Sequence, residues 1–354
     1  MESHVAGLSE GLVLRGHAVS MVTSRSRRGL PERETMAGVD VHRIWMPART
    51  PPGWAAHVAA TMMRHRRLAR SADIFHAHTF ACALPAMASR RRFRRPFVLT
   101  LHTSHFLMRA RQPRWRRLLR RIIAAADYLL ATSEEIRQVA LDIYPHPRSE
   151  VMTNAVDTAR FRPREDERRR EGPLQIVVPR RLFPKNGVEF LVRAMPLILA
   201  EVEVEASIIG DGPERARLER LAESLGVSER IRFLGARANA EMPALLREAD
   251  IAVIPSLMEA TSIAALEAMA CGLPVAASAV GGLPEIIDRD VGALFPPADP
   301  QALAVGVVAL LRRPDLSGLG EEGRRRVVAN WSLDRLVDRH VTIYQMLLDE
   351  SEDR

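Results

Sequence analysis

The chain has 354 residues, of which 47% are hydrophobic and 27% charged, and its formal net charge is +8. This is the composition of a soluble globular protein, and the length favours two domains. No apolar run reaches the roughly 18 residues of a transmembrane helix, and the N-terminus lacks the features of a signal peptide. Cys82 and Cys271 lie far apart and outside metal-ligand spacing, so we expect a cytoplasmic protein without structural zinc.

Arginine carries almost all of the positive charge, because Lys185 is the only lysine. The arginines cluster at residues 90–95 and 109–121. Such a cluster is either a solvated basic face or a surface that attracts an anionic membrane or a phosphorylated acceptor. Nucleic acid ranks third as a partner, because no binding motif accompanies the cluster.

In chain order, residues 2–15 predict a helix, and buried strands alternate with amphipathic helices after it. The strands predicted in the first half are Ala18–Thr23, Asp73–His76, Phe97–Leu101 and Tyr128–Ala131. A doubly wound domain normally opens with a strand and a tight loop, and here that opening strand is missing. Residues 162–172 are charged and almost devoid of apolar residues, which predicts a linker.

The second half repeats the same alternation of strands and helices. Its predicted strands are Leu174–Val178, Ala206–Ile209, Ile231–Leu234, Ile251–Ile254 and Pro274–Ala277. We therefore predict two α/β domains with parallel sheets, residues 1–161 and 173–330, facing a cleft. The amphipathic segment Leu333–Leu348 is expected to return to the first domain, so residues 331–354 are assigned there. Ligands of such sheets bind beyond the carboxyl ends of the strands.

The segment Pro255–Glu285 follows a predicted strand and opens a helix. Thr261 and Ser262 stand at the predicted helix start, where free backbone N–H groups and the helix dipole favour a phosphate. Glu267 lies two turns into the helix, where a carboxylate can accept hydrogen bonds from ribose hydroxyls. The alternative is a capped amphipathic helix on which Glu259 and Glu267 are merely exposed.

A second candidate site is PRRLFPKNG, which directly follows the strand Leu174–Val178. Its cations Arg180, Arg181 and Lys185 can neutralise a leaving diphosphate, although a cationic surface loop is the alternative. A third is Gly210-Asp211-Gly212, where glycine permits a close backbone approach but also suits an ordinary turn.

Four histidines of the first half follow predicted strands: His76, His78, His102 and His105. Histidines at strand ends can donate to sugar or phosphate oxygens or transfer protons. We predict structural roles for His76 and His78 and leave His102 open between a structural and a functional role. No carboxylate or cysteine is spaced with them to complete a metal site.

In this order the motifs closely resemble glycosyltransferase family 4, whose retaining members have the GT-B fold. PSLMEATSIAALEAMACGLPVAASAVGGLPE is similar to the E-x7-E block of that family, VVPRRLFPKNG to its diphosphate loop, and IIGDGPERARLERLA to its GDG strand and helix. RIRFLGA, NAVDTARFRP, RGHAVSMVTSR, DIFHAHT, TLHTSH and WSLDRLVDRHVTIYQMLL also match, so the resemblance covers nearly the whole chain.

The resemblance implies a hexosyltransferase that moves a sugar from a nucleoside diphosphate sugar to an acceptor hydroxyl with retained α configuration. The acceptor would be a glycolipid, a polysaccharide or a small glycoside, and no metal or other cofactor would be needed. Arg181 and Lys185 would hold the diphosphate, Glu267 the ribose and Glu259 the transferred sugar. His102 would approach the sugar from the other domain. The remaining donor-binding positions would be Gly210, Thr261, Ser262 and Ile263.

This sequence departs from the family pattern at several positions. Met1 falls just after the position of the family's opening strand and glycine-rich loop, which predicts a true start upstream. Asn186 stands where the family has a loop lysine, and Ala155, Ala260 and Thr261 replace other family residues. A truncated, non-catalytic nucleotide-sugar-binding relative and a nucleotide-sugar epimerase are therefore the alternatives. A dehydrogenase is disfavoured, because no G-x-G-x-x-G follows an early strand.

Overall fold

The computed structural model describes residues 2–25, 29–45, 51–64, 66–80, 82–102, 104–164, 172–259 and 262–352. The chain forms two compact units. The first unit contains Met1–Thr153 and Leu333–Arg354, and the second contains Asn154–Ser332. The boundary between them precedes the linker predicted at residues 162–172, of which 165–171 lie outside the described residues.

The described residues of the first unit form two sheets. The helices are α1 (Glu2–Leu14), α2 (Pro51–Arg64), α3 (Arg66–Ser71), α4 (Ala83–Phe93), α5 (Ser104–Ala110), α6 (Pro113–Ala125), α7 (Glu134–Ile143) and α15 (Leu333–Glu352). The strands are β1 (Ser20–Arg25), β2 (Arg33–Met36), β3 (Val39–Trp45), β4 (Phe75–Ala77), β5 (Phe97–Leu101), β6 (Tyr128–Ala131) and β7 (Ser149–Val151). A mixed sheet has the order β1-β3-β2, and a parallel sheet has the order β4-β5-β6-β7.

In the first unit, the spacing of buried apolar residues is the one expected of its strands and helices. Strands β5 and β6 are buried along their whole length, as expected of a parallel sheet covered on both faces. Helix α6 buries Leu119, Ile122 and Ile123 on one stripe. Helices α1 and α15 pack so closely that a Cβ added to Gly11 would overlap the Val337 side chain.

The second unit is built on one six-stranded parallel sheet. Its strands are β8 (Leu174–Pro179), β9 (Val204–Ile209), β10 (Ile231–Gly235), β11 (Ile251–Ile254), β12 (Val275–Ser278) and β13 (Gly292–Phe295). Its helices are α8 (Val188–Leu199), α9 (Arg215–Ser224), α10 (Met242–Leu246), α11 (Ile263–Ala270), α12 (Leu283–Ile286), α13 (Pro300–Leu311) and α14 (Leu316–Asn330). The five strands predicted here are present, whereas β13 was not predicted.

The order of these strands is β10-β9-β8-β11-β12-β13. The order reverses between β8 and β11, which is the switch point where doubly wound sheets bind ligands. Neighbouring residues of one strand face opposite sides of the sheet. Accordingly, Ile176 and Val178 belong to one hydrophobic cluster, while Val177 belongs to the other.

Among the described residues, no helix combines the length and the apolar character that crossing a bilayer requires.

Candidate active site

Four loops follow the carboxyl ends of β8, β9, β11 and β12, and glycine lets them approach one another. A Cβ at Gly187 would overlap the carbonyl oxygen of Pro255, and one at Gly210 would overlap that of Arg180. Gly187 also has a φ of +64°, in the left-handed region that favours glycine. Gly210, predicted as a donor-site residue, therefore lies directly against the cationic loop.

Backbone hydrogen bonds connect the same loops. The Leu182 N–H donates to the carbonyl of Asp211 (3.0 Å), and the Leu257 N–H donates to the carbonyl of Lys185 (2.9 Å). The PRRLFPKNG loop after β8 is thus held by the GDG turn after β9 on one side and by the loop after β11 on the other. Main-chain atoms place the predicted cations at the switch point.

Arg180 joins the loops after β8 and β11 through its side chain. Its guanidinium donates to Ser256 Oγ and to the carboxylate of Glu259. The Arg180 and Glu259 side chains are only 11% and 17% exposed, so water screens this ion pair weakly. Glu259 is therefore a paired, largely buried carboxylate, and the alternative that it is merely exposed is wrong.

Sequence reasoning named Arg180 among the loop cations but assigned the diphosphate to its neighbour Arg181. In the structure Arg181 is exposed and lies over the Phe183 ring (5.7 Å), and Lys185 is also exposed. Asn186, in the slot of the family's loop lysine, is buried and donates through Nδ2 to the carbonyl of Arg181 (2.6 Å). Asn186 thus fixes the loop backbone, while Arg181 and Lys185 keep cationic groups at its surface.

Helix α11 begins immediately after the loop that carries Glu259. Ser262 is its N-cap, and its Oγ accepts a hydrogen bond from the Ala265 N–H (3.3 Å). A side chain satisfies only one of the first N–H groups of a helix, so Ile263 begins a turn that can receive an anion. Thr261 lies outside the described residues.

Glu267 lies half-buried on α11. Burial raises the pKa of its carboxyl group to about 7, and the nearby positive charge of Arg160 opposes that rise. The segment that carries Arg160 is anchored by Arg324, which donates to the carbonyls of Thr158 (2.8 Å), Phe161 (2.6 Å) and Ala270 (3.0 Å). Sequence reasoning did not single out Arg160, although the NAVDTARFRP match contained it.

His102 belongs to the first unit, where it follows β5 and is 6% exposed. Its Nε2 lies 3.0 Å from Nδ1 of His78. His76 has the predicted structural role, because its ring nitrogens lie 2.6 Å from the Tyr344 hydroxyl and 2.7 Å from Thr100 Oγ1. Burial holds the pKa of His76, His78 and His102 well below the usual range, so the three rings are neutral at pH 7. The side chain of His105 lies outside the described residues.

Comparison with known proteins identifies the family of this chain. The family described as Glycosyltransferase Family 4 matches residues 1–160, and the one described as Glycosyl transferases group 1 matches residues 160–326. A D-inositol 3-phosphate glycosyltransferase of Salinispora arenicola is 31% identical over 89% of this chain and 79% of its own length. The chain belongs to glycosyltransferase family 4.

Solved structures show the same fold as this family 4 glycosyltransferase. Sucrose-phosphate synthase from Thermosynechococcus elongatus matches with a TM-score of 0.85 at 24% identity, covering 98% of this chain and 93% of the synthase. Anabaena HepE in complex with UDP-glucose matches with a TM-score of 0.67 at 20% identity, covering 90% of this chain and 87% of HepE. The predicted family, the predicted two-domain α/β fold of the GT-B type and the predicted enzyme class are confirmed.

Proposed function

We propose that this glycosyltransferase moves a hexose from a nucleoside diphosphate sugar to an acceptor hydroxyl and retains the α configuration. One observation carries the proposal: at the switch point of the second unit, the cationic loop is joined to the Glu259 loop at the start of α11. One bound diphosphate sugar would then contact positive charge, a helix N-terminus and a fixed carboxylate together. The complex of Anabaena HepE with UDP-glucose supports a donor of this class.

In this proposal the second unit holds the donor. Arg181, Lys185 and the N-terminus of α11 neutralise the diphosphate, so the chemistry needs no metal ion. Gly210 allows the close approach of the donor, Glu267 accepts hydrogen bonds from the ribose hydroxyls, and Glu259 lies against the transferred sugar. From the first unit, His102 approaches that sugar. The acceptor is the hydroxyl of a glycolipid, a polysaccharide or a small glycoside.

Replacing Glu267 by glutamine or Arg181 by alanine is expected to weaken donor binding at least about tenfold, because each removes a charged partner of the donor. The ionised form of Glu267 accepts from both ribose hydroxyls, and its pKa is about 7. Wild-type affinity should therefore rise from about pH 6 to about pH 8, while that of Glu267→Gln stays flat. Calorimetry with UDP-glucose and GDP-mannose measures both effects, because neither diphosphate titrates in this range.

Matched controls exist on the surface of the same unit. Glu223 and Arg220 are exposed, so Glu223→Gln and Arg220→Ala should bind the donor as the wild type does. Wild-type affinity in both site variants would show that the donor binds elsewhere. Failure of the wild type to bind any member of a panel of nucleotide sugars would contradict the proposed donor class.

We also propose that the basic face of α6 binds an anionic membrane surface. Arg114, Arg117 and Arg121 are exposed on this helix, while its apolar stripe is buried in the unit. Charge rather than apolar insertion would then attract the protein to the inner face of the membrane, where lipid-linked acceptors lie.

The protein should bind vesicles that contain phosphatidylserine, and binding should fade as salt rises, because exposed charges are screened. Reversing two charges, with Arg117→Glu and Arg121→Glu, should weaken binding at least about tenfold, at about 1 kcal/mol per charge near the surface. Arg220→Glu with Arg289→Glu makes the same change of net charge on the second unit and should have little effect. Sedimentation that is independent of salt, or equal for the two double variants, would reject the proposal.

A further inference from the structure

Three imidazole rings converge inside the first unit from elements that are distant in sequence. His4 lies on α1, His78 follows β4 and His102 follows β5. His4 and His102 are only 2% and 6% exposed, and His78 is half-buried. One ring nitrogen from each residue lies within 4.8 Å of the others. We call these residues the three-histidine cluster.

The spacing of the cluster is close to that of metal ligands. Zinc binds imidazole nitrogen at about 2.0–2.1 Å, which places two nitrogens of a tetrahedral site about 3.4 Å apart. Nδ1 of His78 and Nε2 of His102 lie 3.0 Å apart. The His4 ring packs edge-on against His102, with centroids 4.6 Å apart. Small side-chain rotations would therefore bring all three rings to ligand distance.

The neighbouring histidine shows what a purely structural role looks like here. Both ring nitrogens of His76 have polar partners, Tyr344 and Thr100, and its ring packs 4.0 Å from that of His78. In contrast, Nδ1 of His78 and Nε2 of His102 face each other inside the cluster, 3.0 Å apart.

We propose that His4, His78 and His102 bind one divalent transition-metal ion of the zinc type, with the fourth position open to water. Three histidines and an open position form a set of ligands that zinc accepts. Sequence spacing did not predict a metal site, because no carboxylate or cysteine is spaced with the histidines that follow the strands, and His4 lies far from them along the chain, in the opening helix. Because His4 is so distant in sequence, spacing alone did not identify it as the third ligand.

A bound ion would also hold the imidazole of His102. Zinc is therefore expected to inhibit sugar transfer, and this consequence alone rests on the proposed function. Binding of the ion does not rest on it, so metal binding without inhibition would separate the two proposals.

The test uses the full chain, freed of metal by a chelator and titrated with Zn²⁺ by calorimetry and with Co²⁺ by visible absorption. We expect one ion per chain and the intense visible bands of tetrahedral Co²⁺. Loss of one ligand in His4→Gln should weaken binding at least about tenfold. His17→Gln is the control, because His17 is exposed just after the same helix.

Two outcomes would overturn the proposal. One is a wild-type protein that binds no ion at about 100 µM Zn²⁺. The other is equal affinity in the wild type and His4→Gln. Circular dichroism establishes that the variant is folded, and His78→Gln replaces it if it is not. The Co²⁺ spectrum of the wild type tests the site without any substitution.

Discussion

Alanine in place of Gly281 is expected to reduce transferase activity at least about 100-fold, because a misplacement of about 1 Å near reacting groups has an effect of this size. Gly281 has a φ of +53°, and a Cβ there would overlap the carbonyl oxygen of Glu259. That carbonyl belongs to the backbone, so no side-chain rotation relieves the overlap. The loop that carries Glu259 must move, and the carboxylate moves with it.

Gly226→Ala is the matched control for this substitution. Gly226 also has a positive φ, +69°, but nothing lies within 4 Å of an added Cβ. The left-handed backbone should cost both variants about 1–2 kcal/mol of stability. Only Gly281→Ala should also lose activity per folded molecule. Activity is measured per folded molecule, with the folded fraction taken from circular dichroism. Equal activity in the two variants would show that the position of Glu259 does not limit the reaction.

Removing either member of the Arg180–Glu259 pair should destabilise the second unit by about 3 kcal/mol, because a largely buried charge then loses its partner. Removing both members, with Arg180→Leu and Glu259→Leu, should cost clearly less than the two single changes added together. A double-mutant cycle measured by urea unfolding gives the coupling energy directly. We expect a coupling of about 2–3 kcal/mol and no measurable transfer by the double variant.

The pair Arg312–Glu201 provides the comparison within the same unit. Its side chains are 56% and 53% exposed, so its coupling should be below about 1 kcal/mol. Coupling of the Arg180–Glu259 pair as weak as that of this surface pair would mean that the ion pair does not hold the two loops together.

The fold could be predicted wherever burial follows a simple period. Strands β5, β8 and β11 are short apolar runs between polar loops, and each was predicted within one residue of its bounds. Strand β2 has the sequence RETM and is mostly exposed, so no apolar pattern marks it. It exists because it pairs with β3, and sequence periodicity does not report such pairing.

The candidate site was likewise predictable from the sequence only in part. The loops were predictable, because cations, glycines and carboxylates directly follow strands whose carboxyl ends meet at one edge of the sheet. Which of two adjacent arginines contacts Glu259 depends on how the loop turns after β8, and that turn is set by Asn186 and Gly187. Sequence alone therefore assigned Arg181 to the diphosphate and did not reveal that its neighbour Arg180 pairs with Glu259.

Main-chain contacts and the Arg180 side chain hold the cationic loop between its two neighbours. The loop consequently does not depend on the exposed side chains of Arg181, Phe183 and Lys185 to stay in place. Such a framework tolerates change at its surface: Arg181 and Lys185 supply charge in the proposed donor site, whereas Phe183 can be exchanged while the backbone stays where it is. Substitutions at Phe183, rather than at the glycines or at the two cations, are therefore expected to leave the loop and its charge in place.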